Sequence, residues 1–186
     1  RHPMEAERIV YILCVGRLGG HKGQLWLLNV YRQARPRFQR PARLVLVGRD
    51  EGGEAEIRRV VKDWGLEDEV IITGELDDED LQRWYVRSDV FALFSRYEAF
   101  GLVYFEAMAC GLPVLTHDVG ANRELLTRGS VVIPAFQEEA ATDALVSLVN
   151  DEDRRRDLGN DGREYALSEF TWPVVAQRYL ELYDSA

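Results

Sequence analysis

Two stretches of the sequence hold side chains whose types and spacing could do chemistry. The first, Gly16-Arg17-Leu18-Gly19-Gly20-His21-Lys22-Gly23, stands between an apolar run and a helical pattern. Its glycines free backbone amides to point outward, Arg17 can fork onto phosphate oxygens, and Lys22 adds a point charge. It is not a Walker loop, because no Lys-Ser or Lys-Thr stands at the required spacing, and it is not Gly-x-Gly-x-x-Gly. A solvated loop whose two cations offset an acidic surface is the competing reading. The second stretch, Ser95 to Pro113, begins as a loop and becomes a helix. Gly101 lies near the helix start, Cys110 and Gly111 close it, and Pro113 opens the next strand. Glu98 then falls just before the helix and Glu106 about one to two turns in, both toward one end. A helix N-terminus offers about half a positive charge and free amides, which suits a diphosphate. Carboxylates beside it accept hydrogen bonds from hydroxyls, so a sugar at Glu98 and a ribose at Glu106, with phosphates between them, fit the arrangement. The competing reading makes Glu98 a helix cap and Glu106 a surface ion pair. Against it, Glu106 lies in the apolar stretch Leu102 to Ala109, where an unpaired carboxylate is costly.

Both stretches need elements that bring them to one place. Apolar runs at Ile9 to Val15, Leu44 to Val47, Val70 to Ile72, Val90 to Phe94, Val114 to Leu115 and Val131 to Ile133 imply six strands. They are apolar throughout instead of alternating, as in a parallel sheet covered on both faces by crossover helices. The expected fold is therefore α/β, a doubly wound parallel sheet. Gln24 to Ala34 places Leu27, Leu28, Tyr31 and Ala34 at helical spacing, and Gln137 to Asn150 does the same with Ala141, Ala144, Leu145, Leu148 and Val149. Thr171, Trp172 and Pro173 open a last helix with Val175, Tyr179, Leu182 and Tyr183 on one stripe. The acidic run Asp77 to Asp80 and the mixed run Asp151 to Asp157 read as solvated helix starts. Parallel strands deliver the residues at their C-terminal ends to one edge, where ligands of open α/β sheets bind. Gly16 and Arg17, Gly48 and Arg49, Gly74 and Glu75, Ser95 to Glu98, and Thr116 and His117 hold those positions here. His117 reads as a surface histidine, and His21 and His2 have weaker claims on chemistry.

Composition limits the partners. The 186 residues, 46% hydrophobic and 10% aromatic, suffice for one core, and a net charge of -9 disfavours a nucleic-acid partner. With only Cys14 and Cys110, there is no material for a disulfide framework or a multi-cysteine zinc site, so a reducing, cytoplasmic compartment is expected. No run reaches the roughly 18 to 20 apolar residues of a transmembrane segment. Residues 1–8 lack the sections of a signal peptide and read as a severed linker, with the domain over residues 9–186.

Taken together these residues resemble a known family. Gly16-Arg17 followed by Lys22-Gly23, a second strand ending at Gly48, a third closed by Gly74, Tyr85, Ser88 and Asp89 before the fourth, and Ser-x-x-Glu-x-Phe-Gly-Leu running into Glu-Ala-Met-Ala-Cys-Gly-x-Pro-Val over Ser95 to Val114 are similar to the C-terminal, donor-binding domain of GT-B glycosyltransferases, specifically retaining family 4. The resemblance covers about Ile9 to Asp184 and extends to Val119, Gly120 and Glu124. It implies a Rossmann-like domain of a hexosyltransferase that moves a sugar from a UDP-, GDP- or ADP-sugar to a glycan or lipid-linked acceptor. The acceptor would be held by an N-terminal domain outside this chain, and the setting would be surface polysaccharide synthesis, cytoplasmic or peripheral at the inner membrane face. Arg17 and Lys22 would clamp the diphosphate, Glu98 would hold the donor sugar with the backbone of Ala99, Phe100, Gly101 and Leu102 completing the cradle, Glu106 would bind the ribose, Gly16 would allow close approach, and Leu76 would lie beside the base. Gly48 would join the donor site. No metal is expected, since arginine and lysine can neutralise the leaving phosphate. Four positions depart from the pattern: Phe94 for proline, Ala99 for glycine, Gly120-Ala121 for Gly-Gly, and Gly48-Arg49-Asp50 for Gly-x-Gly, where Arg49 could compensate. Two other classes compete: an enzyme of the same fold, such as a nucleotide-sugar epimerase, and a non-catalytic nucleotide-binding module.

Overall fold

The computed structural model describes residues 8–184, so His2 and nearly all of the expected linker lie outside it. Six strands form one sheet: β1 (Val10–Val15), β2 (Ala42–Val47), β3 (Val70–Gly74), β4 (Val90–Ala92), β5 (Val114–His117) and β6 (Ser130–Ile133). All neighbours pair in parallel, in the order β3-β2-β1-β4-β5-β6. The helices are α1 (Gln24–Ala34), α2 (Glu54–Asp63), α3 (Asp78–Arg87), α4 (Leu102–Ala109), α5 (Asn122–Leu125), α6 (Glu138–Asn150), α7 (Glu152–Glu169) and α8 (Trp172–Asp184).

The uniformly apolar strands behave as two-sided burial requires. Every residue of β1 is buried, whereas the edge strand β3 buries only Val70. Leu27, Leu28, Tyr31 and Ala34 of α1 are fully buried, as are Ala141, Leu145, Leu148 and Val149 of α6, and the two helices pack on each other. The acidic helix starts are genuine caps: Asp77 accepts from the Asp80 amide and Asp151 from the Arg154 amide.

Two expectations change. Strand β4 ends at Ala92, two residues short of the apolar run, because its partner β1 is paired only as far as Leu13 with Phe91. Beyond that point the order of the sheet reverses between β1 and β4, and Leu93 and Phe94 stay buried while the chain turns toward the crevice. Helix α8 forms with the expected stripe but buries no residue, because α4 and α7 already pack together and α8 touches α7. Tyr179 and Tyr183 are exposed.

Candidate functional site

The reversal between β1 and β4 places the β1-α1 loop and the β4-α4 loop on either side of one crevice. The first loop is held from below by the buried Gln24, whose amide donates to the carbonyls of Arg17 (2.9 Å) and Gly16 (3.4 Å). The second is tied to the first by the Arg96 amide donating to the His21 carbonyl at 2.7 Å. Across this junction the Lys22 ammonium reaches the Glu98 carboxylate at 2.8 Å, and the Ser95 hydroxyl donates to the same oxygen at 3.3 Å. The Lys22 and Glu98 side chains are only 17% and 12% exposed, so the pair is far better shielded from water than a surface ion pair. The Lys22 stem lies against Gly16 at ordinary van der Waals distance.

Arg17 sits at the mouth, donating to Glu51 at 3.0 Å with His21 Nε2 3.4 Å from its other terminal nitrogen. Helix α4 starts at Gly101, which has a positive φ of 72° and no side-chain cap, so the first turn of the helix has amides to offer. Gly120 approaches this loop so closely that a Cβ would stand 1.9 Å from the Glu98 carbonyl oxygen, and its φ of 54° is also one that glycine favours. Ala99, Phe100 and Leu102 are exposed at this helix start, and Leu76 is half-buried just after β3. The Gly48 amide donates to the Gly74 carbonyl at 2.9 Å, closing the ends of β2 and β3 together.

Glu106 differs from its sequence reading in one respect. It is exposed instead of sunk in the core, although it shares its face of α4 with Leu102 and Ala109 and borders an apolar hollow with Phe105 and Phe170. Its partner is no cation either: the Tyr85 hydroxyl donates to Glu106 Oε2 at 2.8 Å. Tyr85 is itself buried, and burial, then the neighbouring Glu106 charge, push its phenol above the ordinary tyrosine range. Glu106 and Glu98 are thus separated by environment, one on the α3 side and one across from Lys22.

His117 is a correction. It is fully buried, not a surface histidine, with Trp26, Phe94 and Phe136 around its ring. Its Nε2 is 2.6 Å from the Ser95 carbonyl, and the Phe136 amide donates to Nδ1 at 3.4 Å, so the neutral Nε2-H form satisfies both contacts. Burial holds its pKa below 6.5, opposed by the Ser95 carbonyl and by Asp118. His117 therefore braces the loop that carries Glu98. Asn122, which sequence reasoning did not single out, continues the support by donating to the His117 carbonyl (2.9 Å) and to Thr116 Oγ1 (3.2 Å). Burial pushes the Cys14 thiol up to about 12, partly offset by Lys22, which makes it an inert core residue. A hollow of about 520 Å³ opens at the other edge, around Arg35, Arg40 and Glu69, away from all of these groups.

An open parallel sheet with cations, a carboxylate and an uncapped helix start gathered at its switch point defines a Rossmann-like domain. The profile of the family described as Glycosyl transferases group 1 matches residues 4–165, and the chain belongs to that family. It is 31% identical over 182 residues to the GDP-mannose-dependent alpha-(1-6)-phosphatidylinositol monomannoside mannosyltransferase of Mycolicibacterium smegmatis, a match covering 92% of this chain and 47% of that protein. Among solved structures it superposes on sucrose-phosphate synthase from Thermosynechococcus elongatus with a TM-score of 0.82 and 32% identity, over 95% of this chain and 45% of the other. The C-terminal domain of a glycosyl transferase group 1 family protein from Francisella tularensis shares the fold, with a TM-score of 0.79 at 22% identity over 88% of this chain and 87% of that one. The chain thus corresponds to the C-terminal domain of a GT-B glycosyltransferase and spans about half the length of the relatives it matches. No helix among the described residues is long and apolar enough to cross a membrane.

Proposed function

We propose that this chain binds the nucleotide-diphosphate-sugar donor of a retaining, metal-independent glycosyltransferase. The observation that carries the reading is the Lys22–Glu98 pair, shielded at the switch point beside the open start of α4. In the bound state Lys22 and Arg17 turn their positive charge to the diphosphate and stabilise the departing nucleotide phosphate. Glu98 accepts hydrogen bonds from ring hydroxyls of the donor sugar, the amides from Ala99 to Leu102 meet phosphate and sugar oxygens, and Gly16 lets the ligand come close. Glu106 receives the ribose hydroxyls, with Tyr85 fixing its carboxylate, while Leu76 and Gly48 line the nucleoside side. GDP-mannose is the donor named for the mycobacterial relative and heads the panel to be tried here.

Thermal shift with GDP-, UDP- and ADP-sugars identifies the donor, because a ligand that binds only the folded chain raises its stability. Arg17→Ala and Lys22→Ala are each expected to weaken that donor by about 1.5 to 3 kcal/mol in calorimetry. Unchanged affinity in both variants would remove the basis of the proposal.

A further inference from the structure

The loop after β2 is where the sequence departs from Gly-x-Gly, and the structure gives that departure an arrangement of its own. Glu51 Oε1 accepts from Arg17 Nη1 at 3.0 Å and from Arg49 Nη2 at 3.3 Å, so two guanidinium groups converge on a single anionic oxygen. The convergence is set by backbone. The Leu18 amide donates to the Arg49 carbonyl (2.8 Å), and the amides of Glu51 (3.0 Å) and Gly53 (3.2 Å) donate back to the Leu18 carbonyl. Asp50 locks the same turn by accepting from the amides of Gly52, Gly53 and Glu54. The loops after β1 and β2 therefore present Arg17 and Arg49 as one unit.

We infer that Arg17 and Arg49 form a two-guanidinium seat for the donor's diphosphate, and that the Glu51 carboxylate occupies this seat until the donor displaces it. The inference rests on the donor-site reading and adds Arg49 as a further binding residue and Glu51 as an internal competitor. Glu51 makes one contact to each arginine, both from half-exposed side chains, and such pairs contribute little in water. Each guanidinium has five N–H donors, so most remain for a phosphate, which can engage a guanidinium through two parallel hydrogen bonds. The charges point the same way: two cations and one carboxylate leave a single net positive charge, whereas removing the carboxylate from the seat leaves two to meet a diphosphate. The Arg17 hydrogen bond, ahead of the contribution of Arg49, holds the Glu51 carboxyl below its ordinary range, so the competitor is charged at neutral pH.

The test is calorimetry of the 186-residue chain with GDP, UDP, ADP and the matching nucleosides, comparing the unaltered protein with Glu51→Gln, Arg49→Gln, both together, and Lys22→Gln. Glu51→Gln is expected to tighten the preferred diphosphate by roughly fivefold and Arg49→Gln to weaken it by about tenfold, the scale of a charge-assisted hydrogen bond. The Arg49 effect should be larger in the Glu51→Gln background, and guanosine, uridine or adenosine should be indifferent to all of these changes. Weaker or unchanged binding in Glu51→Gln, with Lys22→Gln still costing affinity, would overturn the inference and leave the donor site standing. Loss of Arg49 without consequence would do the same. If none of the three diphosphates bound the unaltered chain, the donor-site reading would fall and this inference with it.

Discussion

At the scale of single residues, the two glutamates of the Ser95 to Pro113 stretch have been given distinct neighbours. Glu98 is held by Lys22 across the crevice and by Ser95 of its own loop, whereas Glu106 takes a hydroxyl from Tyr85 on α3. On the proposed donor-site reading, the carboxylate facing Lys22 would meet the sugar and the one on the α3 side the nucleoside. Glu106→Ala should weaken free nucleotide and nucleotide-sugar alike, by about 1.5 to 3 kcal/mol, while Glu98→Ala should act mainly on the sugar conjugate. Parallel titrations with GDP and GDP-mannose, or their counterparts for another base, decide the matter, and equal losses of free nucleotide in both variants would show the division to be wrong. Removing Glu98 also releases Lys22 from its only carboxylate hydrogen bond among the described residues, so free nucleotide should bind that variant no more weakly than the parent.

At the scale of elements, periodicity made α1 legible over its full length, since Leu27, Leu28, Tyr31 and Ala34 mark a buried face and Gly23 precedes it. Uniform apolarity located β1 to within a residue and the C-terminal four residues of β2, whose first two, Ala42 and Arg43, lie before the apolar run. The features that escaped were those decided by residues far apart in the chain. The end of β4 depends on where β1 stops pairing, the exposure of the α8 stripe on the packing of α4 with α7, and the burial of His117 on Trp26 and Phe136. Leu-Thr-His-Asp gives no local sign of such a cage. That Glu98 and Lys22 reach one edge was legible because parallel topology sends both loops there, but their direct ion pair was not. The partnership of Tyr85 with Glu106 needed the helix-to-helix geometry. His117 yields a prediction at this scale. Its folded pKa lies below the unfolded value of 6.5, so the fold binds fewer protons than the unfolded chain as pH falls past that value. The stability it lends is fully present above pH 6.5 and is lost as the pH drops through the lower folded pKa. His117→Gln keeps an amide donor for the Ser95 carbonyl and removes the titration. Thermal unfolding between about pH 7.5 and 5.5 should show the parent losing more stability than the variant, and parallel curves would deny His117 this role.

At the scale of the whole molecule, the chain has one sheet with helices on both faces and covers 47% of its mycobacterial relative. The crevice that holds Lys22, Glu98 and the start of α4 is therefore bounded on one side by this domain alone. On the proposed donor-site reading, Arg17 and Lys22 would stabilise a leaving diphosphate without any other part of a transferase. Holding an acceptor in line does require another part, and positioning of reactants can account for about 7 to 11 kcal/mol of a barrier. Contacts and water exclusion from a facing domain would also strengthen donor binding. The chain by itself is accordingly expected to bind its donor weakly and to transfer sugar at a negligible rate. Joining it to the N-terminal half of a matched relative should restore turnover without changing Arg17 or Lys22. Both proteins would be incubated with the preferred donor and the relative's acceptor, with and without a chelator, and glycosylated product quantified. Turnover by the isolated chain at the rate of the joined protein would show that the site on this domain is complete, and abolition of the joined protein's activity by chelator would contradict neutralisation of the leaving phosphate by arginine and lysine alone.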